Sequence, residues 1–263
     1  MFLVALTRWG RPLEEELVPL GRLLGLAPYD VRLRAGGPLP VVLSVGGGRD
    51  AAGRLLRALR RRGHGAVACD MDRAAALLAG RVEPRDFLLG EESLTLADIA
   101  VEIPYRNIAA LVLATSSREQ IGKSVTKQRK LSLTRAAVTG GLALTKKVKK
   151  EVRHRQEMRE RVLYLFRLPP SSPYLLVESR LRYAGLGELM VSTRAENFVS
   201  LVNILRARAP GAFFDDRLVT APRKRGLVAI SGGMESTMES YSNTPENDLA
   251  AYLLLAAHLQ KQL

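Results

Sequence analysis

Seven of the nine lysines lie between Lys123 and Lys150, and none precedes Lys123. Residues 118 to 167 hold 15 Lys and Arg against 4 Glu, a net of +11, while the whole 263-residue chain is +14. Cations at this density attract phosphates and carboxylates over distance and hold them by charge-assisted hydrogen bonds. The candidate contacts are Lys123, Lys127, Arg129, Lys130, Arg135, Lys146, Lys147, Lys149, Lys150, Arg153 and Arg155. Between the two basic runs, LSLTRAAVTGGLALT (131 to 145) carries one charge, Arg135. Its Leu133, Val138, Leu142 and Leu144 form a candidate apolar tip.

Other reactive residues are scattered. His64, His154 and His258 have no neighbour at metal-ligand spacing. Cys69 stands alone, so no intrachain disulfide can form. Gly122-Lys123-Ser124 lacks the upstream glycine of a phosphate-binding loop. Asp215-Asp216 reads as a turn. One motif is closer to a cofactor signature. Gly46-Gly47-Gly48-Arg49-Asp50-Ala51 fits G-x-G-x-x-A between a strand and a helix, and Asp70 closes the next strand. A cofactor fold would continue with further strand–helix units, and this chain does not. The ordinary reading is a Gly-rich strand-to-helix turn, with no cofactor.

The elements that position the basic run are extended. From Lys147 to Arg161 every odd position is charged, and a period of two marks a strand with one charged face. Two arms, about 123 to 131 and 147 to 166, flank the tip. Three readings stay open: a charged edge ribbon whose tip folds onto its own core, contact with a bilayer that is anionic outside and apolar beneath, and a groove on a protein or nucleic acid. Aromatic residues are not interleaved with the basic run, which argues against base stacking.

Before the ribbon, FLVAL (2 to 6) reads as a buried strand. Residues 14 to 24 read as a helix with Leu13, Leu17, Leu20 and Leu24 inward; Pro19 implies a later start or a kink. Residues 26 to 35 are ambiguous between helix and strand. PVVLSV (40 to 45) is a strand, and residues 50 to 61 form a helix with Ala52, Leu55, Leu56 and Leu59 inward. Residues 66 to 69 close the unit. LLGLAPYDVRLRAGGPLPVVLSV, from Leu23, and the later HGAVACD resemble the small α/β sandwich shared by the Clp protease adaptor and the ribosomal stalk protein's C-terminal domain. In that family a "GL" precedes a short helix, a proline-flanked strand, a second helix and a Gly-led last strand. The resemblance covers about 1 to 72 and implies a protein-binding or linking module. The adaptor's acidic and histidine pocket residues have no counterpart here.

After a connector (73 to 85), short strands are expected at 87–89, 94–96, 100–103, 108–114, 162–167, 174–178 and 181–183. A helix follows at 194 to 208 with Phe198, Leu201, Val202 and Leu205 inward. This order, with VEIPYRNIAAL (101 to 111), resembles the bacterial form of the pleckstrin-homology-like (PH-like) barrel, whose last helix plugs one open end. The resemblance spans about 86 to 210 and implies lipid or protein binding, with the ribbon as an insertion. No headgroup-binding motif is matched.

The expected fold is therefore α+β. A small α/β sandwich (1–72) is followed by a PH-like β-barrel (86–214) carrying the ribbon (118–167), a flexible linker (215–244) and a terminal helix (245–263). That helix, apolar nearly all round, either docks on its own body or captures a partner through Leu249, Tyr252, Leu253 and Leu259. Residues 1 to 6 are too short and lack the basic start of a secretory leader, and no run of about 18 apolar residues exists. The expected protein is a non-enzymatic cytoplasmic adaptor, peripheral at the inner face of a membrane at most. Its partner is an anionic membrane surface or an acidic protein. The alternatives are a homo-oligomer assembled through ribbon or tail helix, a nucleic-acid binder, and a dinucleotide-dependent enzyme.

Overall fold

Strand β1 (Phe2–Arg8) is apolar at consecutive positions, so both of its faces must be covered. The computed structural model shows how. It describes all residues except 132–144, 170, 221–225 and 234–235, and backbone alone at 120–131, 145–155, 226–233 and 236–241. β1 lies between β2 (Val41–Val45) and β3 (Gly65–Asp70), antiparallel to both. Val4, Leu6 and Ala66 point to one face. There they meet Leu20 of helix α1 (Leu13–Leu24), Val31 of α2 (Pro28–Ala35) and Leu59 of α3 (Arg49–Arg61). Leu3, Ala5, Val67 and Cys69 point to the other face and need a second cover.

Helix α1 runs through Pro19 without beginning later. Its anchor is electrostatic as well as apolar. Glu16, fully buried, accepts Arg62 Nε and Nη2 at 2.6 and 2.8 Å, and His64 Nε2 stands 3.3 Å from Oε2. The Gly10 N–H donates to His64 Nδ1 at 3.0 Å. Gly10 must be glycine here, because a Cβ would lie 2.3 Å from the Gly63 carbonyl oxygen. The Arg62 hydrogen bonds hold the Glu16 carboxyl below the usual glutamate range against the opposing effect of burial.

After α4 (Met71–Ala79), capped by the Asp70 side chain, come β4 (Leu88–Leu89), β5 (Ser93–Leu96) and β6 (Val101–Pro104), paired in the order β4-β5-β6. A 3-10 turn at Tyr105–Asn107 then separates β6 from β7 (Ile108–Leu131). β8 (Thr145–Arg167), β9 (Tyr174–Val177), helix α5 (Arg194–Arg208), β10 (Phe213–Asp216), α6 (Arg217–Thr220), β11 (Gly226–Gly233) and β12 (Ser236–Ser242) follow. The larger sheet has the order β11-β12-β7-β8-β9, with β10 parallel to β7. The fold is α+β, and among the described residues the sheets stay open rather than closing a barrel. Residues 181–183, predicted as strand, make a single bridge, Asp86 to Arg182, before a 3-10 turn. Phe198, Leu201, Val202 and Leu205 of α5 are buried, as their spacing predicts, against Leu94, Ile103, Leu163 and Leu176.

The second cover for the first sheet is the last helix, α7 (Thr244–Leu259). Leu253 and Ala257 pack on Leu3, Ala5, Val67 and Cys69. Ala250, Ala251, Leu254 and Leu255 pack on Ala110, Val112, Val162 and Tyr164 of β7 and β8. An all-round apolar helix is thus buried between two sheets. Polar contacts fix it. The Tyr164 hydroxyl donates to Asp248 Oδ1 at 2.7 Å, Arg81 bonds Asp248 Oδ2, and Thr7 Oγ1 donates to the Gln262 carbonyl oxygen at 2.7 Å.

Two compact units result. One comprises Met1–Ser116, Glu160–Arg223 and Pro245–Leu263, and the other Ser117–Arg159 and Lys224–Thr244. These bounds differ from the expected domains at 1–72 and 86–214, because α7 serves the sheets of both. Where a flexible linker was expected at 215–244, β11 and β12 pair antiparallel, and β12 pairs with β7. Their apolar and β-branched residues (LVAI and T-M-E-S-Y) suit strands.

Leu253→Ala is expected to lower unfolding free energy by about 2–5 kcal/mol, and Leu259→Ala, half exposed, by under ~0.5 kcal/mol, measured by urea titration. Equal effects would contradict the packing of Leu253 on the first sheet. The carboxylate of Glu16, with its pKa lowered by folding, stabilises fully above the free glutamate value of about 4.3. That contribution is lost as pH falls through the lowered value. Stability profiles should therefore show a smaller acid-side decline for Glu16→Gln than for the wild type.

Candidate functional site

The basic run is built on neighbouring strands. Lys123, Lys127, Arg129 and Lys130 stand on β7, and Lys146, Lys147, Lys149, Lys150, Arg153 and Arg155 on β8. β7 and β8 pair, so these ten positions share one ribbon. Arg135 and the tip residues Leu133, Val138, Leu142 and Leu144 lie outside the described residues. On the other edge of β7 the register with β12 sets Arg118 opposite Ser242 and Ser124 opposite Ser236. The unit formed by Ser117–Arg159 and Lys224–Thr244 carries 15 Lys and Arg against five Asp and Glu, a net of +10 of the chain's +14. A net charge of one sign at this density self-repels, and a bound anion relieves that repulsion.

The alternation does not all belong to the ribbon. Arg161, its last member, is anchored in the other unit. Its Nε donates to Glu178 Oε2 at 3.0 Å, Nη2 donates to the Ala195 carbonyl oxygen at 2.7 Å, and its guanidinium lies 5.8 Å from the Phe198 ring centroid. Arg159 pairs with Glu157 at 2.8 Å on an exposed surface, a kind of pair that contributes little. The four residues proposed for a partner helix separate in the same way. Leu253 is buried in the chain's own core, Leu249 and Tyr252 are partly buried against it, and Leu259 is half exposed.

A second feature is a cleft of about 510 Å³ between β3, α4, α7 and the start of α3. Phe2, Leu77, Tyr252 and Leu255 supply apolar walls, and Arg49, Arg73 and Asp70 supply charge. Arg49 and Arg73 have no carboxylate partner among the described residues. The glycine motif shapes this end. Gly46 and Gly47 have φ of 112° and 70°, the left-handed region that other residues enter at a cost, and the Gly46 N–H donates to the Phe2 carbonyl oxygen at 2.9 Å. The motif residues and Asp70 thus come together, though not as a dinucleotide fold would arrange them. That fold requires β2 and β3 adjacent and parallel, and here β1 lies between them, antiparallel to both.

Comparison with protein-family models, curated proteins and solved structures finds no match. The chemistry must therefore be read from the side chains themselves. Burial, and after it the neighbouring Asp70, pushes the Cys69 thiol up to about 11, so it stays protonated at neutral pH. Burial also raises Tyr252. Among the described residues, no group of three or more His, Cys, Asp or Glu is placed to hold a metal. His64 belongs to the Glu16 network, and His258 stacks on Phe213 with centroids 4.8 Å apart. Asp215 is buried and accepts from Arg217 at 2.8 Å; the acid pair read as a turn instead ends strand β10, where Asp215 stands opposite Val112 of β7.

Sequence reasoning missed two networks: Glu16–Arg62–His64, and Asp248 with Tyr164, Arg81 and Glu83. The contacts that join Glu16 and Asp248 to their partners span 46 to 167 positions, so no local spacing announces them. The buried, protonated Cys69 should react with iodoacetamide at pH 7.5 at least tenfold more slowly in the native protein than after unfolding in urea. Equal rates would place the thiol at the surface.

Proposed function

We propose that this chain is a non-enzymatic binding protein that meets an anionic partner surface through its basic β-ribbon, a membrane face being the first candidate. The carrying observation is the concentration of charge: one compact unit with ten of the chain's fourteen net positive charges. Paired strands hold these cations at fixed spacing, which a disordered basic tail does not. Near an anionic bilayer each Lys or Arg contributes about 1 kcal/mol, so about eight of the ribbon's cations acting together reach micromolar association. Among the described residues no helix is long and apolar enough to cross a membrane, so contact of this kind would be peripheral. The tail helix supports assembly less well, since its apolar residues are already buried within the chain.

Co-sedimentation with phosphatidylserine-containing and with neutral vesicles tests this reading. Binding is expected to the anionic vesicles only. It should weaken more than tenfold between 0.1 and 0.5 M salt, as screening shortens the reach of each charge to ~4 Å, and fall further in Lys146→Glu/Lys147→Glu/Lys149→Glu. Leu142→Asp/Leu144→Asp should remove any component that survives salt. Binding to polyglutamate or duplex DNA without vesicle binding would move the partner to an acidic protein or a nucleic acid. No binding to any of the three would overturn the ribbon as an anion-binding surface.

A further inference from the structure

The sheet β2-β1-β3 ends at β3, and the outer edge of β3 faces the cleft. The register fixes which peptide groups point outward. The Met71 N–H donates to the Met1 carbonyl oxygen at 2.8 Å, so residues 67, 69 and 71 bond β1. Ala66, Ala68 and Asp70 therefore turn their peptide groups away from it. The Ala66 carbonyl oxygen is taken by Arg60 Nε and Nη2 at 3.1 and 2.9 Å, which closes that end. The other end passes into α4, capped by Asp70. Ala68, between them, is half-buried and lines the cleft, and no other element of the described chain bonds its N–H or C=O. A cleft-facing peptide group of this kind bonds water or the backbone of another chain.

We propose that the cleft beside β3 takes an extended peptide segment of a partner protein, which adds as a fourth strand opposite Ala68. An open strand edge is a template for another chain, with main-chain hydrogen bonds supplying affinity and flanking pockets supplying specificity. The free edge is about three residues long, roughly 10 Å. Successive side chains of the added strand point to opposite faces. One falls on Tyr252 and Leu255 of α7, which calls for an apolar residue. The next falls toward Arg49 at the start of α3, with Arg73 at the rim, which calls for an acidic one. Two guanidiniums face the single carboxylate of Asp70, so the rim has a net positive charge for that residue to answer. The recognised segment alternates apolar and acidic residues.

The test titrates the full chain with dye-labelled, acetylated tetrapeptides alternating aspartate with valine, leucine or phenylalanine, read by fluorescence polarisation. At least one is expected to bind with Kd below about 1 mM and to weaken about tenfold when its central amides are N-methylated. Ala256→Trp, which fills the cleft and leaves the ribbon untouched, should abolish binding. Should that variant misfold, the exposed pair Arg49→Glu/Arg73→Glu should reverse the preference from aspartate to lysine peptides. Hydrogen exchange at the Ala68 amide should slow on binding. Absence of binding by the whole set, indifference to N-methylation, or binding that survives in a folded Ala256→Trp would each overturn the proposal. Loss of vesicle binding would leave it standing, because the ribbon takes no part in it.

Discussion

The larger unit depends on one packing arrangement: α7 held between two sheets that cannot cover themselves. The inner face of β1 and β3 is Leu3, Ala5, Val67 and Cys69, and the outer face of β7 and β8 offers Ala110, Val112, Val162 and Tyr164. Neither face meets the other. A helix of mostly Leu and Ala, apolar nearly all round, satisfies both at once. Its orientation is specified by few polar groups. Asp248 is the chief one, partly buried between the Tyr164 hydroxyl and Arg81. Burial raises its carboxyl toward protonation, and the hydrogen bond from Tyr164, with the nearby Arg81 charge, opposes that. Desolvation on this scale is tolerable because both oxygens are bonded.

The α7 arrangement explains why β1 reads as it does. A strand in a two-layer sandwich alternates apolar and polar residues, but FLVAL does not alternate. Its continuous apolar run signals a third layer, and the segment 249 to 259, apolar nearly all round, can supply it. Both signals were in the sequence. What it lacked was a means of joining them, because the contact spans nearly the full chain.

Local features were more legible. The helix at 194 to 208 is placed by Thr193, whose hydroxyl accepts the Glu196 N–H, and by the spacing of its four buried residues. The strand–helix–strand from 41 to 70 is readable from residue type alone. Sheet order was not. The glycine motif and Asp70 suggested adjacent parallel strands, and nothing local reveals that β1 inserts between them. The buried Glu16 was hidden for a different reason. In a run of three glutamates at a helix start, all three look like dipole partners, and only the arrival of Arg62 and His64 from the turn after α3 distinguishes one of them. The linker reading of 215 to 244 failed because Ser, Thr and Gly favour turns and solvated strands alike.

The position of α7 along the chain has a consequence for synthesis. Thr7 Oγ1 bonds Gln262 across 255 residues. At about 5–20 residues per second, roughly 10–50 s pass between translation of β1 and the arrival of its cover. During that interval the face of β1 and β3, and later that of β7 and β8, stands open beside a ribosome whose RNA is an anionic surface, and the most basic part of the chain emerges while the first face waits. A holding chaperone or early association with the final partner would protect those faces, which makes the order of the elements itself part of how this protein must be made.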